Sequence, residues 1–298
     1  MQVLDEGCVS TYSHFVTDFE RAMCHFLGVP DCIATHSGTA ALHLALMECG
    51  IGPGDEVVIP ALTFVATKNV IEYVGAKPVI VDVNKKSWLL SDYIGFGLIL
   101  PVDLYGNPSP GFAQIYDAAE SLGARKHHPH YVCYSFNGNK TMTTGGGGLL
   151  VGKDLDHIRT KLNPGHYNGI GYNYRMTGLA ASLGLAQLKR LPYFLKKKRQ
   201  FNEIYRNELD GLVKFQRATP GTEPSWWMTA CTFPEHIDIS ILQKQLNARG
   251  VPTGRIFKPL ADLPNAKYIY EHGLCLPSST LNSDLDVKKT CIEIKSFL

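Results

Sequence analysis

Cys32-Ile33-Ala34-Thr35-His36-Ser37-Gly38-Thr39-Ala40-Ala41-Leu42-His43-Leu44-Ala45-Leu46-Met47-Glu48-Cys49 begins as a short apolar run, turns at a hydroxyl–glycine–hydroxyl triplet, and continues in strong helix formers. The apolar run reads as a strand and residues 40–49 as a helix, because alanine and leucine lose little on entering one. Gly50-Ile51-Gly52-Pro53-Gly54-Asp55 then breaks the chain. A strand passing through a tight turn into a helix is the repeating unit of an α/β fold.

The pattern repeats on both sides. Upstream, Phe15, Val16, Phe19, Ala22, Met23 and Phe26 recur at helical spacing, and Gly28 and Pro30 mark the end of a helix over 15–27. Downstream, β-type runs stand at Val57-Val58-Ile59, Pro78-Val79-Ile80-Val81-Asp82, 99–102, Ile115-Tyr116, 131–136 and 149–151. Residues 177–191 read as a helix with small residues on one side, followed by Pro192. Beyond about Lys196 the alternation gives way to a longer helix and scattered strands. The expected organisation is a large domain over 1–195 with a mainly parallel sheet, and a small α+β domain over 196–298.

The 298 residues are 45% hydrophobic and 19% charged, enough to bury a sizeable core. A net charge of +2 is too near neutral to signal nucleic-acid binding. The basic run Lys196-Lys197-Lys198-Arg199 reads as a solvated helix face. Eight scattered cysteines contain no C-x-x-C pair, which reads as reduced thiols in a cytoplasmic protein. Residues 1–10 carry acids and no apolar core, unlike a secretory leader, and no apolar run reaches membrane-spanning length. His127, His128 and His130 lack accompanying cysteines or acids, so an exposed loop is expected there and no metal site. Trp226 and Trp227 read as buried aromatics, with stacking on a nucleotide base as the other possibility.

Four places carry candidate chemistry. Ser37-Gly38-Thr39 opens a helix, where free backbone N–H groups and a hydroxyl suit a phosphate. An ordinary capped helix start has the same composition. Asp117 ends a strand, placed either to point into a cleft or to cap a helix. Lys140 lies between a strand and Gly145-Gly146-Gly147-Gly148, an unusual setting for a surface lysine, and Ser135 precedes it on the strand. A nucleophilic amine, a carboxylate and an anion-binding helix start together suit a cofactor bearing an aldehyde, a protonated ring nitrogen and a phosphate.

With those residues in hand, the chain resembles the DegT/DnrJ/EryC1/StrS family of sugar aminotransferases from about Phe15 to its C-terminus. The resemblance rests on His36-Ser37-Gly38-Thr39-Ala40-Ala41-Leu42-His43-Leu44-Ala45-Leu46, Gly52-Pro53-Gly54-Asp55-Glu56-Val57, Asp117-Ala118-Ala119-Glu120-Ser121-Leu122-Gly123, Ser135-Phe136-Asn137-Gly138-Asn139-Lys140 and Gly171-Tyr172-Asn173-Tyr174-Arg175-Met176. The wording of the Lys140 block is most similar to the branch acting on UDP- or GDP-linked 4-keto-6-deoxy sugars, such as the bacillosamine, legionaminic acid and perosamine enzymes.

The resemblance implies an aspartate-aminotransferase-like fold and pyridoxal 5′-phosphate as cofactor, with pyridoxamine 5′-phosphate as its amino form. It implies that Lys140 bonds the cofactor aldehyde and shuttles a proton, and that Asp117 pairs with the pyridinium. Phe64 matches the aromatic stacked on the ring. Gly38, Thr39, Ala40 and Ser135 match phosphate contacts, and Glu120 lies near the cofactor hydroxyl. Asn173 matches an asparagine reaching a partner's phosphate, so a homodimer is implied. Asn139, Arg175 and Lys258 are the residues expected near substrate, Arg175 being equally suited to a structural ion pair.

The implied reaction turns a nucleotide-linked 4-keto-6-deoxy sugar into its 4-amino sugar with glutamate as donor. A non-catalytic regulatory binder and a sugar dehydratase are the rivals. Dehydratases of the family carry histidine where Lys140 stands. The chain is shorter than usual members. It also has Asp103 for a usual histidine, Gly254 followed by Arg255 for a usual arginine, and Ala261 for a frequent histidine, at places that tend to lie near substrate in the family. A link as short as 104–112 leaves no room for a crossover helix, so an extended run across the sheet edge or a thinly covered face is expected there.

Overall fold

The computed structural model describes residues 2–90, 98–124, 130–162 and 170–298. In order, the elements are α1 (Gln2–Asp5), α2 (His14–Leu27), β1 (Asp31–Thr35), α3 (Gly38–Glu48), β2 (Glu56–Pro60), α4 (Ala66–Tyr73), β3 (Lys77–Val81), β4 (Leu98–Ile99), β5 (Ile115–Asp117), β6 (Tyr131–Ser135), β7 (Gly148–Gly152), α5 (Asp156–Lys161), α6 (Gly178–Leu188), α7 (Leu191–Glu208), β8 (Lys214–Phe215), β9 (Thr229–Thr232), α8 (Ile239–Ala248), β10 (Gly254–Arg255), α9 (Pro264–His272), β11 (Gly273–Leu276) and α10 (Asp284–Lys295). His127 and His128 lie outside the described residues, and His130 is exposed. Among the described residues no helix is long and apolar enough to cross a membrane.

Strands β1-β7-β6-β5 form one set and β3-β2-β4 another. A parallel bridge from Val102 to Asp117 joins them, with the Asp117 N–H donating to the Pro101 carbonyl and the Asp103 N–H to the Asp117 carbonyl. The resulting order among the described strands is β3-β2-β4-β5-β6-β7-β1, in which β7 alone runs antiparallel to its neighbours. This is the mainly parallel α/β sheet expected. Period-two burial explains how it is covered. Cys32, Ala34, Val132, Tyr134, Leu149 and Val151 face the core under α2 and α6, while Ile33, Cys133 and Leu150 face the core under α3 and α4. Phe19 and Met23 of α2 are wholly buried there, worth about 1.5–3 kcal/mol each.

The ends of α2 and the start of α6 agree closely with the sequence signals. Ser13 caps α2 and Gly28 closes it in the left-handed conformation, while Thr177 caps α6. The helix expected over 177–191 ends instead at Leu188, and Pro192, expected to follow it, sits in the first turn of α7, where its missing N–H costs nothing. That helix runs unbroken through the expected boundary at 195/196. Its first residues, Leu191 and Leu195, join the core under α2, and Phe201 and Tyr205 join a separate core. The latter packs against an antiparallel sheet of order β10-β11-β9-β8. The basic run on α7 is not a solvated face. Only Lys196 is exposed, Lys198 is buried, and Arg199 donates to the carbonyls of Pro224 and Gly123.

The short 103–114 link also differs from expectation. It does not run extended along an edge, because β5 lies inside the sheet beside the strand ending at Val102. Instead it makes a 3₁₀ turn at Leu104–Gly106 and is covered by the chain around Ser225–Trp227. Gly106, at φ 91, permits this approach, since a Cβ there would sit 2.6 Å from Ser225 Oγ and 2.7 Å from the Trp227 nitrogen. Asp103 fastens the link's base, accepting from the Ser109 N–H at 2.8 Å and the Ser121 hydroxyl at 2.5 Å. The aspartate at this position therefore serves the shortened connection.

Candidate active site

Parallel strands bring the ends of β1, β2, β5 and β6 to one edge of the sheet, where α/β folds bind ligands. The start of α3 follows β1, Thr63 and Phe64 follow β2, Asp117 ends β5, and Ser135 ends β6. Residues 136–147 fold back on themselves, with the Phe136 N–H on the Gly147 carbonyl and the Thr144 N–H on the Phe136 carbonyl. That returns Lys140 to the same edge. The last two glycines of the run are a packing requirement, because a Cβ on Gly147 would sit 2.2 Å from Thr144 Oγ1 and one on Gly148 2.4 Å from the Ser37 carbonyl.

These elements enclose a cavity of about 220 Å³ whose lining includes Gly38, Thr39, Phe64, Asp117, Glu120, Ser135, Asn139 and Lys140. Lys140 Nζ donates to Glu120 Oε1 at 3.2 Å, and both side chains are largely buried. Glu120 Oε2 accepts from the Tyr105 N–H at 2.7 Å. Burial pushes the Glu120 carboxyl above the ordinary carboxylate range, with the Lys140 ammonium pulling it back. Asp117 accepts from the Thr67 hydroxyl at 2.7 Å and the Ala119 N–H at 3.1 Å. Burial raises its carboxyl too, against those two bonds and the field of Lys140. A buried carboxylate so disposed is poised to receive a cation.

Four expected residues lie outside the cavity lining. The Ala40 N–H is taken by the Ser37 hydroxyl at 3.1 Å, as in an ordinary cap. Arg175 pairs with Thr35 across a bridge and stacks its guanidinium on Tyr12 at 4.2 Å. Asn173 and Lys258 are exposed, Lys258 next to Phe257, which does line the cavity. Arg255 turns toward α9, donating to the Tyr270 carbonyl at 3.0 Å, and neither it nor Gly254, Ala261 or Asp103 lines the cavity.

Several residues of the site carry no signal in the sequence. Thr67 binds Asp117 from α4, Tyr105 binds Glu120 from the short link, and Phe257 lies 5.8 Å from Phe64. Trp227 is buried, as expected, yet its ring also lines the cavity, 4.0 Å from Lys140 Nζ. Nothing local to these residues marks them. Trp88, Tyr105 and Trp226 have φ of 61, 57 and 49, a conformation costing a bulky residue about 1–3 kcal/mol. Trp88 and Tyr105 pack in the cluster that also holds Trp227.

The model of the DegT/DnrJ/EryC1/StrS aminotransferase family matches residues 1–294. A GDP-perosamine synthase of Escherichia coli O157:H7 is 30% identical over 344 residues, covering 99% of this chain and 93% of that protein. That alignment is longer than the chain itself, so the relative carries segments absent here. A GDP-perosamine synthase of Caulobacter vibrioides is 33% identical over 305 residues, covering 89% of this chain and 82% of that protein. A crystal structure of a DegT DnrJ EryC1 StrS aminotransferase from Brucella abortus superposes with a TM-score of 0.89 at 27% identity, covering 99% of this chain and 93% of that one. Sequence over nearly the whole length and the fold agree, and the chain belongs to the DegT/DnrJ/EryC1/StrS aminotransferase family.

Proposed function

We propose that the chain moves an amino group from glutamate to a nucleotide-linked 4-keto-6-deoxy sugar, GDP-linked in preference to UDP-linked. The observation that carries this is one cavity lined by the amine of Lys140, the buried carboxylate of Asp117 and the N-terminus of α3. The GDP preference is supported by the names of relatives that share most of the length.

Pyridoxal phosphate fits this donor set: it supplies an aldehyde to Lys140 and an electron-accepting ring whose protonated nitrogen needs a carboxylate. Around it the chain's own residues divide the work. Asp117 would hold charge at the ring nitrogen, the start of α3 with Ser135 would receive the phosphate, and Phe64 would cover one face. Lys140 Nζ takes the proton from the donor's α-carbon and returns one to the sugar carbon, a contribution of about 10²–10⁴-fold for a positioned acid–base group. Glu120 receives the Lys140 ammonium between steps, at the 3.2 Å seen here.

Glutamate added to the cofactor-loaded protein is expected to shift the visible absorbance to that of pyridoxamine phosphate. GDP- and UDP-linked 4-keto-6-deoxy sugars then restore it, and mass spectrometry should find a product in which an amine replaces the keto oxygen. A spectrum unmoved by glutamate would sink the transaminase reading in favour of a binder.

We further propose a homodimer. Leu4, Leu179 and Leu183 are 53%, 51% and 41% exposed along a groove between α1 and α6. Gly146 lines both that groove and the cavity, so a second copy seated there would reach the site. Sedimentation should give twice the chain mass, and Leu183→Glu should give the monomer with weakened cofactor binding. A wild-type monomer with full activity would end the idea. A cytoplasmic setting is proposed on the eight cysteines, none of which is in a disulfide.

A further inference from the structure

Lys198 sits in the middle of α7 at 6% exposure, an uncommon place for a lysine. Its ammonium is met by two backbone carbonyls, Trp227 at 2.8 Å and Ser278 at 2.6 Å. Burial lowers it to about 8, so the position is costly and something must be gained there. Trp227, whose carbonyl it holds, follows the strained Trp226. The indole Nε1 donates to the Asn139 carbonyl at 2.7 Å, directly before Lys140. Its ring face stands 4.0 Å from Lys140 Nζ. Neighbouring bonds hold the same turn, from the Ser225 N–H to the Gly106 carbonyl and from the Met228 N–H to the Tyr105 carbonyl.

We propose that Trp227 is an active-site residue that aims the Lys140 amine into the cavity, and that Lys198 is the positioning residue that sets Trp227. The indole grips the lysine loop twice. One bond fixes the backbone at Asn139, and the ring attracts the ammonium that Glu120 also holds. A ring displaced by an ångström would let the amine point away from an aldehyde. Lys198 ties α7 to the entry of β9 and the exit of β11, so the strained turn cannot relax. This inference rests on the reading that Lys140 bonds a cofactor aldehyde, and it deepens that reading.

The test mixes apoprotein with pyridoxal phosphate and follows the lysine-bound absorbance, with thermal melts to confirm folding. Trp227→Leu is expected to slow capture about tenfold and Trp227→Phe only two- to threefold, since phenylalanine keeps a ring but loses the Asn139 bond. Lys198→Met should behave like Trp227→Leu, and the double variant should be no slower than either. With sugar and glutamate, both variants should lose kcat about tenfold while the sugar KM stays within threefold. Should Lys198→Met not fold, Trp227→Leu alone decides. Capture at the wild-type rate by Trp227→Leu, effects that multiply in the double variant, or a KM rise at unchanged kcat would each overturn the proposal. A wild type that captures cofactor but aminates no sugar would sink the substrate reading and leave this one standing. A wild type that captures none would sink both.

Discussion

On the proposed reading Lys140→Ala removes both the bond to the aldehyde and the proton carrier, and it is expected to capture no pyridoxal phosphate covalently and to lose turnover by about 10⁴-fold or more. Among the described residues no other lysine lines the cavity. The same change unbalances Glu120. Its carboxylate keeps the Tyr105 N–H but loses an ammonium 3.2 Å away, in a place where burial already raises it. Breaking one side of a buried pair costs about 3 kcal/mol. A carboxyl raised in the fold binds its proton there while the unfolded chain has released it, so stability is present at low pH and lost as pH rises through the raised value. The variant's melting temperature should therefore trail wild type more at pH 8 than at pH 5. Adding Glu120→Gln to Lys140→Ala should recover most of that deficit and none of the activity. Cofactor colour and turnover in Lys140→Ala would refute the assignment, whatever the melts show.

What could be read from the sequence divides along a physical line. Ser37-Gly38-Thr39, Asp117 and Ser135 were legible because each sits at or just past the end of a strand in its own local run, and parallel strands must deliver such ends to one edge; Lys140 was legible by its setting between a strand and the glycine run, in a loop that folds back to that edge. The sheet itself was legible because period-two apolar runs alternate with helices. Partners that arrive from elsewhere were not legible. Trp227 lies 87 positions from Lys140, and Thr67 lies 50 from Asp117. Their contacts depend on packing between segments, which spacing along a chain does not encode. The basic run misled for the same reason. Lys198 looks solvated beside three other cations, and only the carbonyls of Trp227 and Ser278 explain its burial. The path of the short 103–114 link was not legible because its cover comes from residues more than a hundred positions later.

Asp117→Asn is expected to separate stability from catalysis, moving them in opposite directions. The carboxyl is buried and raised by that burial, so above the raised value the unloaded wild type carries a destabilising charge. Asparagine is nearly isosteric. Its oxygen can keep the Ala119 N–H, and its amide can donate to the Thr67 hydroxyl, which can donate onward to Thr63 at 2.9 Å. The unloaded variant should therefore melt above wild type once pH exceeds the raised value of the carboxyl. The gap should close as pH falls toward 3.8, where both folded chains are neutral at this position. Loaded with cofactor, the order reverses. The ring nitrogen then lacks its negative partner, and kcat should fall about 10²–10³-fold, the size typical of removing one preorganised charge from a reacting centre. Cofactor binding to wild type should weaken as pH falls through the Asp117 carboxyl, while the variant shows no such step. A variant no more stable than wild type when empty, and no slower when loaded, would mean that position 117 does not face the ring, and Lys140 would have to find its electron sink elsewhere.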